Sequence, residues 1–159
     1  MFKEKFLNTS DGVSVAVNHY DNSRESVLVI AHGWFMTKDT KPFKTMSEDF
    51  FKHHDVITMD FRGHGKSSGL YTFTAKEPLD LKAVVDFAKE KYAKVFVIGF
   101  SLGGATAVIH AAEQKDIDGL IAVSAPARFD RIENHFWRPE AFIPTIQKWD
   151  FKENRNVRP

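Results

Sequence analysis

Gly99-Phe100-Ser101-Leu102-Gly103-Gly104 sets a serine between glycines in the pattern G-x-S-x-G. A serine hydroxyl is a weak nucleophile alone. On a strained strand-to-helix turn, however, it projects from the backbone and can attack an acyl carbon once a base takes its proton. The flanking glycines let neighbouring backbone come close without a Cβ clash. Ser101 is therefore the candidate nucleophile. The plainer alternative, a glycine-rich turn with an incidental serine, is disfavoured by context. Val95-Phe96-Val97-Ile98 reads as a strand before it, and residues 101–113, rich in Gly and Ala, read as a helix after it. The N-terminus of that helix favours developing negative charge.

Attack on an acyl carbon puts charge on the carbonyl oxygen, which needs hydrogen-bond donors. His32-Gly33-Trp34 follows another apolar run, Val27-Leu28-Val29-Ile30-Ala31, where a loop supplying such a donor is expected. The backbone N–H groups of Trp34 and Leu102 are the candidate pair, each contributing on the order of 10²–10³ in rate. Gly65-Lys66-Ser67 invites a phosphate-loop reading, but the first glycine of that pattern would fall at Asp60 and no helix clearly starts after Ser67, so nucleotide binding is rejected. His110 lies about 13 Å along the helix from Ser101 at ~1.5 Å per residue, too far to be its base. His19, His53 and His54 read as solvated strand or helix ends.

The elements that must position these residues follow from hydrophobic periodicity. Two segments around residues 4–8 and 13–19 flank Ser10-Asp11-Gly12, a hairpin signal. Continuous apolar runs at 27–31, 56–59, 95–98 and 119–124 suit strands covered on both faces. Between them, Phe43, Met46 and Phe50, and then Leu81, Val84, Val85, Ala88 and Tyr92, fall at helical spacing. A hairpin followed by β-α repeats predicts an α/β fold: a mostly parallel sheet with an N-terminal antiparallel hairpin and helices on both faces. Residues 1–126 form the expected core. Residues 127–159, with Phe129, Phe136, Trp137, Phe142 and Trp149 scattered among charges and prolines, are read as a flap or lid-like, irregular segment, with ordinary packing on the sheet edge as the alternative.

The chain has 159 residues, of which 43% are apolar and 27% charged, a length that suits one globular domain. A formal net charge of +1 without long like-charge runs gives no footprint for nucleic acid or an anionic membrane. The absence of cysteine excludes disulfides, thiolate metal sites and a cysteine nucleophile. With no signal-like apolar core at the N-terminus and no stretch long enough to span a bilayer, the simplest expectation is a cytoplasmic protein with no membrane partner.

Three landmarks in order, His32-Gly33-Trp34, Asp60-Phe61-Arg62-Gly63-His64-Gly65-Lys66-Ser67 and the turn at Ser101, make the chain resemble the N-terminal two-thirds of an α/β-hydrolase of the bacterial esterase and lipase type. The resemblance covers residues 1–126. It implies a sheet truncated after its sixth strand, a serine nucleophile, no cofactor or metal, and a small-molecule ester or related acyl substrate. A serine at this turn argues against the dehalogenase branch, whose attacking group is a carboxylate. In the family, histidines at the positions of His32 and His64 brace loops.

The family order is serine, acid, histidine, with the acid usually after the seventh strand and the histidine after the eighth. Two more β-α units do not fit after Ser124. Within this chain the remaining candidates are Asp130, after the sixth strand, and His135; Asp116 and Asp118 precede that strand, at the wrong end of the sheet. An apolar parallel strand at an exposed edge also calls for cover. The expectation is therefore a fragment or truncated form of a larger hydrolase, or a homo-oligomer or complementing chain over the last strand. The competing function class is a catalytically incomplete, hydrolase-like scaffold that binds a ligand or partner.

Overall fold

Period-two alternation in the apolar runs decides which layer each side chain enters. In the computed structural model, which describes residues 1–127, β1 (Lys3–Asn8) and β2 (Ser14–Tyr20) form the antiparallel hairpin, turning through Thr9 to Val13 with Gly12 at φ +84°. Then follow β3 (Ser26–Ala31), α1 (Lys41–Phe51), β4 (Asp55–Met59), α2 (Glu77–Lys89), β5 (Lys94–Phe100), α3 (Leu102–Gln114) and β6 (Gly119–Val123). The six strands make one sheet in the order β1-β2-β4-β3-β5-β6. β2 pairs antiparallel with β4, and β4, β3, β5 and β6 run parallel. The sequence expectation of an α/β fold holds throughout these residues.

Along β3, Val27, Val29 and Ala31 point to one face, where they meet Leu81, Val84, Val85 and Ala88 of α2 and Ala107 of α3. Leu28 and Ile30 point to the other, against Phe43 of α1 with Val56 and Ile98. Helices thus cover both faces. Proline in the first turn of α1 and of α2 suits positions whose N–H has no helical partner. Among the described residues β6 pairs only with β5, and Ile121 is 57% exposed. None of the described helices is long and apolar enough to cross a membrane.

His19 departs from expectation. It is buried rather than solvated, because β2 lies inside the sheet between β1 and β4, and α2 lays Phe87 edge-on against the imidazole. Its Nε2 sits 2.6 Å from the Tyr92 hydroxyl, which also donates to Asp55 at 3.1 Å. His53 and His54 are exposed, as read from the sequence.

Candidate active site

All the chemistry-bearing loops of the sequence reading leave the same edge of the sheet, because β3, β4 and β5 run parallel and their C-terminal ends coincide. Ser101 lies between β5 and α3 with φ 51° and ψ −118°, a positive φ that a non-glycine residue rarely adopts, and its side chain is exposed. Its backbone is held on two sides. The Ser101 N–H donates to the Val123 carbonyl at 2.8 Å, and the Ser101 carbonyl accepts from Ala105 at 3.0 Å. Leu102 is the first residue of α3, so its N–H is one of those a helix cannot satisfy internally.

The glycines around Ser101 are there for space. A Cβ on Gly103 would stand 2.3 Å from the His32 carbonyl oxygen and 2.5 Å from that of Ala31; one on Gly99 would stand 2.4 Å from the Gly103 carbonyl oxygen. β3, β5 and α3 therefore meet backbone to backbone under the serine. Gly33 brings the loop after β3 against the same point, since a Cβ there would lie 3.2 Å from Ser101 Cβ and 3.3 Å from the Phe100 carbonyl oxygen. Trp34 follows directly. Its indole stacks on Phe35 at 4.2 Å between ring centroids and meets Phe73 edge-on at 5.1 Å. With Tyr71 and Leu102 these rings form one apolar cluster beside the serine turn.

The two loop histidines are held neutral. His32 is buried, its Nδ1 2.7 Å from the Gly33 carbonyl while its Nε2 accepts the Phe61 N–H at 3.2 Å. Those partners require the proton on Nδ1. Burial depresses its pKa to about 4, against the pull of the Gly33 carbonyl. His64, also buried, has its pKa pushed down to about 3 by desolvation and by its neighbour His32. Its Nδ1 is 3.1 Å from the Arg62 carbonyl, and its ring stands perpendicular to Tyr71 at 4.7 Å.

The rest of the Asp60-to-Ser67 segment is scaffold of the same kind. Arg62 is buried in a fork of ion pairs, reaching Asp80 of α2 through Nε at 2.9 Å and Nη2 at 2.7 Å, and Asp11 of the hairpin turn through Nη1 at 2.8 Å. The guanidinium holds the Asp11 carboxyl down at about 2. Ser67 donates to the Asp60 carbonyl at 2.6 Å and accepts the Ala16 N–H at 2.8 Å.

A match to the model of the alpha/beta hydrolase fold over residues 26–151 settles the family. The chain belongs to the α/β-hydrolase fold family. It is 33% identical over 127 residues to a pimeloyl-[acyl-carrier protein] methyl ester esterase of Xylella fastidiosa, an alignment covering 80% of this chain and 47% of that protein. Among solved structures, the esterase Pf2001 of Pyrococcus furiosus superposes with a TM-score of 0.80 at 31% identity, over 91% of this chain and 59% of that one. An esterase of Exiguobacterium antarcticum has the same fold, with a TM-score of 0.65 at 24% identity over 77% of this chain and 46% of its own. The chain thus spans about half the length of the curated relatives it matches.

For this α/β-hydrolase the structure brings Ser101, Leu102 and the loop bearing Trp34 to one place, with His32 and His64 beneath them as braces. His110 is not part of that place. It is buried on α3 and pairs through Nε2 with Asp116 at 2.8 Å. Asp118 accepts the Val95 N–H at the far end of β6, as its position before that strand implies. Asp130, His135 and the flap lie outside the described residues. No group of three or more His, Asp or Glu side chains among the described residues could hold a metal ion. The sequence reading missed Lys38, Tyr71, Phe73 and Asp80; only the aromatics, close before a helix-opening proline, left any local trace.

Proposed function

We propose that this chain supplies the nucleophile half of a serine hydrolase acting on carboxylic esters or related acyl compounds. Ser101 Oγ attacks the acyl carbon while a base takes its proton. The Trp34 and Leu102 N–H groups receive the charge that develops on the carbonyl oxygen. Collapse of the tetrahedral species expels the alcohol, which takes up the proton, and leaves an acyl-enzyme that water hydrolyses. The observation carrying this reading is the backbone of Ser101, held at φ 51° on the β5–α3 turn with Gly33 packed against it. The cluster of Trp34, Phe35, Tyr71, Phe73 and Leu102 favours an acyl or aryl group that is partly apolar. A relative named for a methyl ester supports ester chemistry over other acyl transfers.

Asp130 and His135 are the candidate acid and base within this chain. A second reading, a scaffold with an incomplete catalytic set, draws on the described histidines. His32 has both ring nitrogens committed to backbone, His64 is buried against His32 and Tyr71, and His110 is paired to Asp116. On that reading the base and the cover for β6 come from the remainder of a longer hydrolase or from a second copy.

Labelling with a fluorophosphonate probe separates the two. Labelling of the wild type that vanishes in Ser101→Ala is the expected result and places an activated serine in this polypeptide. A folded wild-type chain that takes up no probe would make it the inactive nucleophile portion.

A further inference from the structure

The loop that carries Trp34 is fastened at two points. At its start His32 bridges the Gly33 carbonyl and the Phe61 N–H. Further along stands Lys38, whose side chain is completely buried. An ammonium is tolerated in such a place only among compensating charges. Its Nζ lies 2.7 Å from the Asp39 carboxylate, 3.0 Å from Glu4 and 3.6 Å from Asp60. The Lys38 N–H donates to Asp60 Oδ1 at 2.7 Å, and the other oxygen of that buried carboxylate accepts the Lys66 N–H at 3.0 Å. Glu4 also accepts from Lys66 Nζ at 2.9 Å, and Asp39 accepts from Asn18 at 2.8 Å. Lys38 thereby ties the loop to β1 and to the segment after β4, and its partner Asp39 ties it to β2 through Asn18.

Between the two fastenings lies Phe35 at φ 60°, a left-handed conformation that must be imposed by its surroundings. An apolar side chain at position 38 would fill the space but set no direction; an ammonium shared by three carboxylates fixes both the side chain and the backbone beside it.

We propose that Lys38 and Asp60 are positioning residues that hold the backbone of residues 33–37, so that the Trp34 N–H faces the acyl oxygen before reaction begins. The inference rests on the Ser101 reading. Donors held in place beforehand need no reorganisation as charge develops, so loosening them slows the chemical step more than it weakens substrate binding.

The test uses the full chain and the variants Lys38→Met, Lys38→Arg and Glu4→Gln. Two quantities are measured: the rate of fluorophosphonate labelling at Ser101, and amide hydrogen exchange over residues 33–37 and over α3. Lys38→Met is expected to label at least about tenfold more slowly, with faster exchange confined to residues 33–37, and Lys38→Arg to recover most of both. On an aryl acetate, kcat should fall while KM stays within about twofold. Wild-type exchange over residues 33–37 in Lys38→Met overturns the proposal, as does a loss of protection shared equally with α3. Should Lys38→Met fail to fold, Glu4→Gln decides: a smaller rise confined to residues 33–37 supports the clamp, and unchanged exchange overturns it. A folded wild-type chain that resists the probe decides for the catalytically incomplete reading of this polypeptide, while the exchange comparison still decides the clamp.

Discussion

Two glycines near Ser101 make different demands on space, and the difference is measurable. Gly103→Ala would drive a Cβ into the carbonyl oxygens of His32 and Ala31, which belong to a central strand and its exit and have nowhere to go. We expect a loss of about 1–3 kcal/mol in urea unfolding, with probe labelling lost as well. Gly33→Ala meets Ser101 Cβ and the Phe100 carbonyl at 3.2 and 3.3 Å, distances that a shift of a few tenths of an ångström relieves. That shift moves the donor loop and not the core, so labelling should slow by about tenfold or more at nearly unchanged stability. Equal effects of the two substitutions on stability would contradict this assignment of contacts. At this scale the sequence was most readable where the chemistry is local. Ser101 and its glycines are adjacent in the chain, and their spacing alone predicts a tight turn. Lys38 left no such trace, because Asp60 and Glu4 lie 22 and 34 positions away and nothing about a lysine in a loop announces that three acids surround it.

Among the elements, the segment after β4 acts as a buttress. Arg62 joins it to α2 through Asp80 and to the β1–β2 turn through Asp11. Removing the guanidinium leaves Asp80 buried with no cation, a situation that typically costs about 3–5 kcal/mol. Arg62→Leu should therefore lower the unfolding free energy by about that much, whereas Asp11→Asn, which disturbs only the partly exposed end of the fork, should cost under about 1 kcal/mol. Chemical denaturation of both variants checks the ranking. The strands and helices themselves were legible, since apolar runs and helical spacing survive in a single sequence. The order β1-β2-β4-β3-β5-β6 was not, because pairing depends on crossovers that periodicity does not encode. His19 illustrates the gap: alternation alone did not reveal that β2 is enclosed between two other strands.

For the molecule as a whole, acid sensitivity follows from the buried imidazoles. His32 and His64 have pKa values depressed to about 4 and about 3, below the value of roughly 6.5 of a free histidine. The unfolded chain therefore takes up their protons first as pH falls. Their contribution to stability is complete above about pH 6.5 and declines below it, by up to roughly 1.4 kcal/mol per pH unit for each ring until the folded-state value is reached. Burial raises the Asp80 carboxyl to about 7, which acts in the opposite direction over the same range, so the imidazole contribution is read as a difference. Urea midpoints from about pH 7.5 to 4.5 should fall less, or rise more, in His64→Phe than in the wild type, and parallel profiles would rule out a buried neutral His64. The sheet order also bears on how the polypeptide emerges from the ribosome. β3 is central, with β4 on one side and β5 on the other, yet β5 begins at Lys94, long after β3 ends at Ala31. At a synthesis rate of roughly 5–20 residues per second, the nascent strand waits on the order of several seconds with one of its two edges open. An apolar strand in that state is a ready template for wrong pairing, so yield should be governed by that interval: a co-expressed holdase should raise the soluble fraction, and slowing translation between β3 and β5 should lower it.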